Sequence, residues 1–122
     1  MSNLNSREIC PKAFAQDLRT RFRGSLTNLG FSPSTHVHQI DFSHISFLSS
    51  KKDIRFLNAV LAFWKELDPL QQELFIREFL EKGRYFSQWW RYYFDDADYR
   101  SEVRSIGMLA YHRLGGYING KA

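Results

Sequence analysis

Residues 51–67 have the sequence KKDIRFLNAVLAFWKEL, and this stretch decides the fold class. Its apolar side chains recur every three or four residues, which is the spacing of one face of an α-helix. They form two adjacent rows that together cover about half of the helix surface. One row contains Ile54, Leu57, Leu61 and Trp64, and the other contains Phe56, Val60, Phe63 and Leu67. Because so wide an apolar face must be covered by several neighbours, the pattern predicts a helical bundle.

The segments on either side carry the signals of further helices. Residues 11–29 place an apolar stripe on one face, and Gly30 is typical of the position just past a helix end. Residues 68–71, with the sequence DPLQ, predict a helix start, because Asp can cap, Pro suits the first helical position and Gln completes a capping box. That helix is predicted to end near Gly83. The stripe of the first segment consists of Phe14, Leu18, Phe22, Leu26 and Leu29.

The last third of the sequence predicts two more helices. Residues 84–94 form an aromatic segment, and residues 97–114 form another stripe, preceded by acidic residues that favour a helix start. Gly107 lies at the edge of that stripe, where a missing side chain allows close helix contact. The helix is predicted to end at Gly115 and Gly116. Its stripe consists of Tyr99, Val103, Ile106, Ala110 and Leu114.

The stretch from residue 31 to residue 50 fits neither the helical period nor the strand period. We expect a loop with one short helix over residues 43–48, and a short strand over residues 37–42 is the alternative. The patterns together predict an all-α fold, a single compact bundle of about five helices with an irregular 31–50 connection. One domain is expected to cover residues 1–122, with residues 1–10 as a loose N-terminal arm.

The composition excludes several classes of protein. The chain has 122 residues, of which 43% are hydrophobic and 25% are charged, which is ordinary for a globular protein and too apolar for a disordered one. No apolar run approaches the roughly 18–20 residues that cross a bilayer, so no membrane partner is expected. The amino terminus lacks the basic and then apolar pattern of a signal peptide. Because Cys10 is the single cysteine, we expect no intrachain disulfide and a cytoplasmic location.

The net charge of +4 lies entirely in the first half of the sequence. Residues 1–61 hold eight Lys and Arg and four acidic residues, whereas residues 62–122 hold nine of each. On a helical wheel, Lys12, Arg19 and Arg23 share one flank of the apolar stripe. Clustered cations bind phosphate backbones, although a few cations beside a stripe also serve as a solvated helix edge. The candidate nucleic-acid-binding residues are Lys12, Arg19 and Arg23, joined by Lys51, Lys52 and Arg55.

The segment 84–94, RYFSQWWRYYF, contains seven aromatic side chains. On a helix they cover roughly 200° of the circumference, whereas one buried face needs about 100–140°. The rings expected in the core are Phe86, Trp90 and Tyr93. The rings expected at the rim, with their polar tips in water, are Tyr85, Trp89 and Tyr92. Trp, Tyr and Arg are enriched at interface hot spots, and aromatic rings also stack on unpaired bases. The candidate partner-binding residues are Arg84, Tyr85, Trp89, Arg91 and Tyr92.

Clusters of ligand-type residues have simpler explanations than a metal site. The first cluster lacks the cysteine pairs and the spacing of a zinc site. It consists of His36, His38, Asp41 and His44. Three clustered carboxylates suit helix capping better than cation binding; they are Asp95, Asp96 and Asp98. The sequence has no phosphate-binding glycine loop, nucleophile elbow or zinc-protease motif. No enzyme activity, metal or cofactor is therefore expected.

Two hypotheses on function remain. The first is a non-enzymatic protein-binding module, such as a small regulator, an inhibitor or a subunit of a larger complex. It would dock on another protein, or on a second copy of itself, through the aromatic and arginine residues of segment 84–94. The alternative is a nucleic-acid-binding protein or nucleoprotein subunit that uses the basic first half.

Overall fold

Four helices and three short 3₁₀ turns make up the part of the chain that the computed structural model describes, residues 11–45 and 49–118. Helix α1 spans Pro11–Asn28, α2 spans Lys51–Glu66, α3 spans Pro69–Leu74 and α4 spans Asp96–Ile118. Helix α3 continues directly into a π-helical segment, Phe75–Leu80. These described residues contain no strand, which confirms the all-α prediction, with four helices in place of five. The predicted N-terminal arm, residues 1–10, lies outside the described residues.

Helix α1 packs against α2, α4 and the π-helical segment. Four residues of its predicted stripe lie in the core, namely Phe14, Leu18, Phe22 and Leu26. The helix ends in a Schellman motif, in which the Phe31 N–H donates to the Leu26 carbonyl at 2.8 Å and the Gly30 N–H donates to the Thr27 carbonyl at 3.0 Å. Gly30 has a φ of 88°, a conformation that favours glycine, so α1 ends where the sequence predicts.

The starts of α2 and α3 are fixed by side-chain caps. Ser50 Oγ accepts a hydrogen bond from the Asp53 N–H at 3.3 Å at the start of α2. At the start of α3, Asp68 Oδ1 accepts from the Gln71 N–H at 2.8 Å, and Gln71 Oε1 accepts from the Asp68 N–H at 3.1 Å. This is the predicted capping box. The Phe63 and Phe75 rings meet edge to face at a centroid distance of 5.1 Å, which joins α2 to the π-helical segment.

The π-helical segment widens the helix and buries an unusually large share of its residues. The Glu81 N–H donates to the carbonyl of Ile76, five residues back, at 2.7 Å, which is the π-helical spacing. The buried residues of the segment are Phe75, Ile76, Glu78, Phe79 and Leu80. A Cβ atom at Gly107 would lie 3.4 Å from Phe79 Cζ, which is ordinary van der Waals contact, so α4 passes close to Phe79 at this position.

Residues 84–94 do not form the predicted helix. Their helical content is one 3₁₀ turn, Trp89–Tyr92. Both indoles enter the core, where Trp89 Nε1 donates to Glu78 Oε2 at 3.0 Å and Trp90 Nε1 donates to the Ser87 carbonyl at 3.0 Å. Aromatic side chains have only modest helix propensity, and the burial of both indoles and the bond from Trp89 to Glu78 outweigh it. The helical-wheel arrangement of the seven rings therefore does not apply.

Helix α4 begins as predicted but ends later. At its start, Asp95 Oδ1 accepts a hydrogen bond from the Asp98 N–H at 2.8 Å. The predicted end at Gly115 and Gly116 is wrong, because the helix continues to Ile118. Tertiary contacts of Tyr117 explain the extra turn, since its ring meets the Phe56 ring and its carbonyl accepts from Arg21 Nη1 at 3.3 Å.

The connection between α1 and α2 contains two 3₁₀ turns, Val37–Gln39 and Phe42–His44. The alternative strand over residues 37–42 is therefore wrong. The side chains of Val37 and Ile40 are buried, and they attach this connection to the core. The helix predicted over residues 43–48 falls partly on residues 46–48, which lie outside the described part. Within that part, no helix is both long enough and apolar enough to cross a membrane.

Candidate binding groove and aromatic surface

A groove of about 900 Å³ separates α1 from the end of the π-helical segment and the start of α4. Among the residues that the structure describes, its walls carry five cationic side chains and one carboxylate, that of Glu78. We call it the basic groove, and its cations are Lys12, Arg19, Arg23, Lys82 and Arg100. Three of the six candidate nucleic-acid-binding residues thus come together, and two cations that the sequence analysis missed join them.

Helical spacing explains why α1 presents three cations to the groove. Lys12, Arg19 and Arg23 are seven and four residues apart, so they lie on one flank of the helix. Arg21 lies on the opposite flank, where its Nε donates to Ser25 Oγ at 3.1 Å and its Nη2 atom lies 3.7 Å from Asp53 Oδ1. The four basic residues of α1 are therefore divided between a groove and a helix interface.

The cations of the basic groove repel one another. Burial and the positive charge of Arg23 lower the pKa of Arg19. Arg19 Nη1 donates to the Ala15 carbonyl at 3.3 Å, which is not a charged partner. Within residues 11–45 and 49–118, no carboxylate forms an ion pair with Lys12, Arg19, Arg23 or Arg100. An anion bound in the groove would relieve this repulsion.

Glu78 is the carboxylate that lines the groove, and it already has a hydrogen-bond donor and an ion-pair partner. It accepts a hydrogen bond from Trp89 Nε1 and lies 3.5 Å from Lys82 Nζ. Burial, followed by the hydrogen bond and the negative charge of Glu78, raises the pKa of Tyr99. Glu78 thus holds Trp89 in place while it lowers the positive charge of the groove. A Glu inside the apolar run LFIREFL was the available sequence signal for this role.

The other three candidate cations lie elsewhere. Lys51, Lys52 and Arg55 are exposed on α2 and do not line the basic groove. Helix α2 meets α1 around Asp53, on the flank opposite to the groove. Arg100 could have been found from the sequence, because it lies three residues before Val103 at the edge of the α4 stripe.

The segment 84–94 exposes a different set of rings from the one predicted. Tyr92 is 93% exposed, Phe86 is 73% exposed and Tyr93 is 62% exposed. We call these three residues the aromatic surface. The core positions predicted for Phe86 and Tyr93 are wrong, and so is the rim position of Trp89, which is only 7% exposed. The cause is the irregular backbone of the segment, which turns two consecutive indoles inward and leaves their neighbours outside.

The remaining candidate partner-binding residues differ in their availability. Tyr85 is half-buried, and its hydroxyl donates to Glu81 Oε1 at 2.8 Å. Arg84 Nη1 donates to the same oxygen at 3.2 Å. Arg91 is exposed above the Trp90 ring, 5.1 Å from its centroid, and Nη2 lies 3.9 Å from Asp96 Oδ1. Of the five candidates, Arg91 and Tyr92 are therefore the most available to a partner.

The aromatic surface borders the basic groove in two places. A recess of about 860 Å³ is lined by residues 91–98 and by Arg100, which also lines the groove. A smaller recess of about 190 Å³ contains Phe86 and shares Glu78 and Lys82 with the groove. Arg100 therefore borders both the basic groove and the recess of Tyr92 and Tyr93, and Lys82 borders both the groove and the recess of Phe86.

No family model, curated protein or solved structure matches this chain. The kind of ligand that its surface can bind therefore follows from the chemistry of the groove cations and the exposed rings. Guanidinium and ammonium groups bind phosphate oxygens, and exposed aromatic rings offer flat apolar faces to planar groups.

The candidate metal ligands do not assemble into a site in the part of the chain that the structure describes, where no group of three His, Cys, Asp or Glu side chains could hold a metal ion. His36 instead contacts the buried carboxylate of Glu81 through Nδ1. The His36 and His38 rings stack at a centroid distance of 5.5 Å, and His38 stacks on Trp64. These histidines connect the 31–50 segment to the π-helical segment and α2.

Proposed function

We propose that this chain is a nucleic-acid-binding module, without catalytic activity, that holds a phosphate backbone in the basic groove. The observation that supports this most strongly is that five cations from three separate segments line one groove, in which the described residues contribute one carboxylate. Backbone phosphates are recognised mainly by such clustered Lys and Arg side chains. A single cysteine fits a reducing compartment. We therefore propose that the protein is cytoplasmic and that it binds its nucleic acid there.

The shape of the charged surface favours a linear polyanion over a small anion. Lys12 and Arg23 are eleven residues apart on α1, which corresponds to about 16 Å along the helix axis. A single phosphate cannot contact cations at both ends of this row, whereas a chain of phosphates has the length to follow it. Three of the five cations are arginines, whose planar guanidinium groups bind phosphate oxygens in pairs.

Titration of a fluorescent oligonucleotide at several salt concentrations tests this proposal. The variant R19Q/R23Q removes two groove cations, and K51Q/K52Q removes two cations from the exposed start of α2 as a control with the same net charge. We expect the groove variant to bind about tenfold more weakly, with a slope of log affinity against log salt that is smaller by about two. Equal losses in both variants, or binding that is insensitive to salt, would overturn the proposal.

A second candidate function is docking on another protein or on a second copy of this chain, and the exposure of Tyr92, Phe86 and Tyr93 supports it. Exposed rings beside an arginine are typical of interface hot spots. Purification of the tagged protein from its native cells, with and without nuclease, compares the two functions. A partner that survives nuclease treatment and is lost from F86A/Y92A supports docking, whereas a partner that is lost on nuclease treatment supports nucleic-acid binding.

A further inference from the structure

We infer that the bound nucleic acid is single-stranded and that its bases stack on the aromatic surface of Phe86, Tyr92 and Tyr93. This inference rests on the proposed function. Nucleic-acid surfaces that accept single strands combine a cationic groove for the backbone with aromatic side chains for the bases. The two features adjoin each other here, because Arg100 lines both the basic groove and the recess of Tyr92 and Tyr93.

The rings are free to receive bases. Tyr92 is 93% exposed and is the last residue of the 3₁₀ turn whose first two residues, Trp89 and Trp90, lie in the core. Tyr93 rests against Trp89 with a centroid distance of 6.3 Å and an angle of 55° between the rings. The buried indoles fix the backbone from which Tyr92 and Tyr93 project, so binding does not require this turn to reorganise.

The carboxylates near the rings indicate which part of the nucleotide lies there. The recess of Tyr92 and Tyr93 also contains Asp95, Asp96 and Asp98. These carboxylates repel phosphates, so the backbone is directed toward the groove side of Arg100. They are hydrogen-bond acceptors, and N–H groups on base edges, including N3–H of thymine, are donors. The recess is therefore suited to bases, and the basic groove to phosphates.

A duplex cannot use this arrangement. Paired bases stack on one another and present only their edges in the grooves, so their faces are not available to Phe86 or Tyr92. Removing the rings should weaken binding to a single strand and leave duplex binding unchanged. Heparin, a polyanion without bases, should behave like the duplex.

The test measures the affinities of wild-type protein, F86A/Y92A and a control variant for a labelled oligo-dT strand, for a duplex and for heparin at one salt concentration. The control, M108A/L109A, removes exposed apolar side chains from α4, away from the groove. We expect F86A/Y92A to lose about tenfold or more in affinity for oligo-dT, with an unchanged salt slope and unchanged duplex and heparin binding. Tyr92→Trp should retain oligo-dT affinity, because it keeps an aromatic face.

The outcomes separate this inference from the proposed function. Full oligo-dT affinity in F86A/Y92A, together with weaker binding in R19Q/R23Q, would overturn the stacking inference and leave the proposed function standing. Equal losses in F86A/Y92A for oligo-dT and duplex would also overturn stacking. Salt-insensitive or absent binding to all three ligands would overturn both. Unchanged oligo-dT binding with loss of a nuclease-resistant protein partner would assign the rings to protein docking.

Discussion

Ser25 on α1 donates a 2.7 Å hydrogen bond to Asp53 Oδ1 on α2, across the interface between the two helices. Both residues are buried, and Asp53 also accepts a hydrogen bond from Asn28 Nδ2 at 3.2 Å and lies near the Arg21 guanidinium. This network occupies the flank of α1 opposite to the basic groove. It fixes the rotation of α1 about its axis and thereby directs the other three cations of the helix toward the groove.

Loss of the Ser25 hydroxyl should destabilise the fold. We expect Ser25→Ala to lower the free energy of unfolding by about 1–3 kcal/mol, because Asp53 stays buried with one donor fewer. Urea denaturation followed by circular dichroism measures the change. Thr27→Ala is the matched control, since its hydroxyl bonds to the Arg23 carbonyl on the exposed side of the same helix; it should change stability by less than about 0.5 kcal/mol. Comparable losses of stability in both variants would show that the buried hydrogen bond from Ser25 to Asp53 contributes no more than the exposed one from Thr27.

The same carboxylate should make stability depend on pH. Burial favours a higher pKa for Asp53, but hydrogen bonds from three neighbours and the charge of Arg21 bring its pKa below the usual value. The hydrogen-bonding neighbours are Ser25, Asn28 and Ser50. Because the folded pKa is lowered, the stabilisation is fully present above the unfolded pKa of about 3.9 and is lost as the pH falls through the folded pKa.

Unfolding free energies of the wild type and of Asp53→Asn, measured between pH 7 and pH 3, test this dependence. We expect the wild type to be the more stable protein at pH 7 and the difference to shrink on acidification. A difference that stays constant across this range would show that the ionisation of Asp53 does not contribute.

Neighbouring aromatic residues of segment 84–94 should differ sharply in their effect on stability. Trp89→Ala is expected to lower the free energy of unfolding by about 3–5 kcal/mol, because it empties a buried site and removes the indole hydrogen bond to Glu78. Tyr92→Ala should cost less than about 0.5 kcal/mol, since the side chain is 93% exposed. Thermal unfolding of the two variants measures these losses of stability. Similar melting temperatures would contradict the predicted difference.

Glu78→Gln should change stability and binding in opposite directions. Stability is expected to fall by about 1–3 kcal/mol, because the charged acceptor of Trp89 and the ion-pair partner of Lys82 are both lost. Oligonucleotide affinity is expected to rise, with a salt slope larger by about one, because the groove gains one unit of positive charge. Glu73→Gln is the control, since that carboxylate pairs with Arg77 on an exposed side of the helix. Weaker binding in Glu78→Gln would contradict the electrostatic role of the groove.

The local features of the fold follow from the sequence because they depend on residues close together in the chain. Successive residues of the α1 stripe are four positions apart, and the end at Gly30 and the capping box at Asp68 and Gln71 each join residues within five positions of one another. Their geometry is fixed by the helical repeat and by local hydrogen bonds. The shared flank of Lys12, Arg19 and Arg23 is predictable for the same reason.

The candidate site depended on contacts between segments that the sequence does not specify. Lys82 and Arg100 reach the groove only because the π-helical segment and α4 pack against α1. Burial of Trp89 depends on Glu78, eleven residues earlier, and the last turn of α4 depends on contacts with Arg21 and Phe56.

The sequence by itself determined where the four observed helices begin, which of their faces are apolar and which cations share a flank of α1. Only the tertiary structure decided which of those cations meet others across a groove and which rings of segment 84–94 face water. The physical reason is the range of the interactions. Caps and helical stripes are set by backbone geometry over a few residues, whereas the groove and the exposed rings result from packing between distant segments, where buried hydrogen bonds override local propensity.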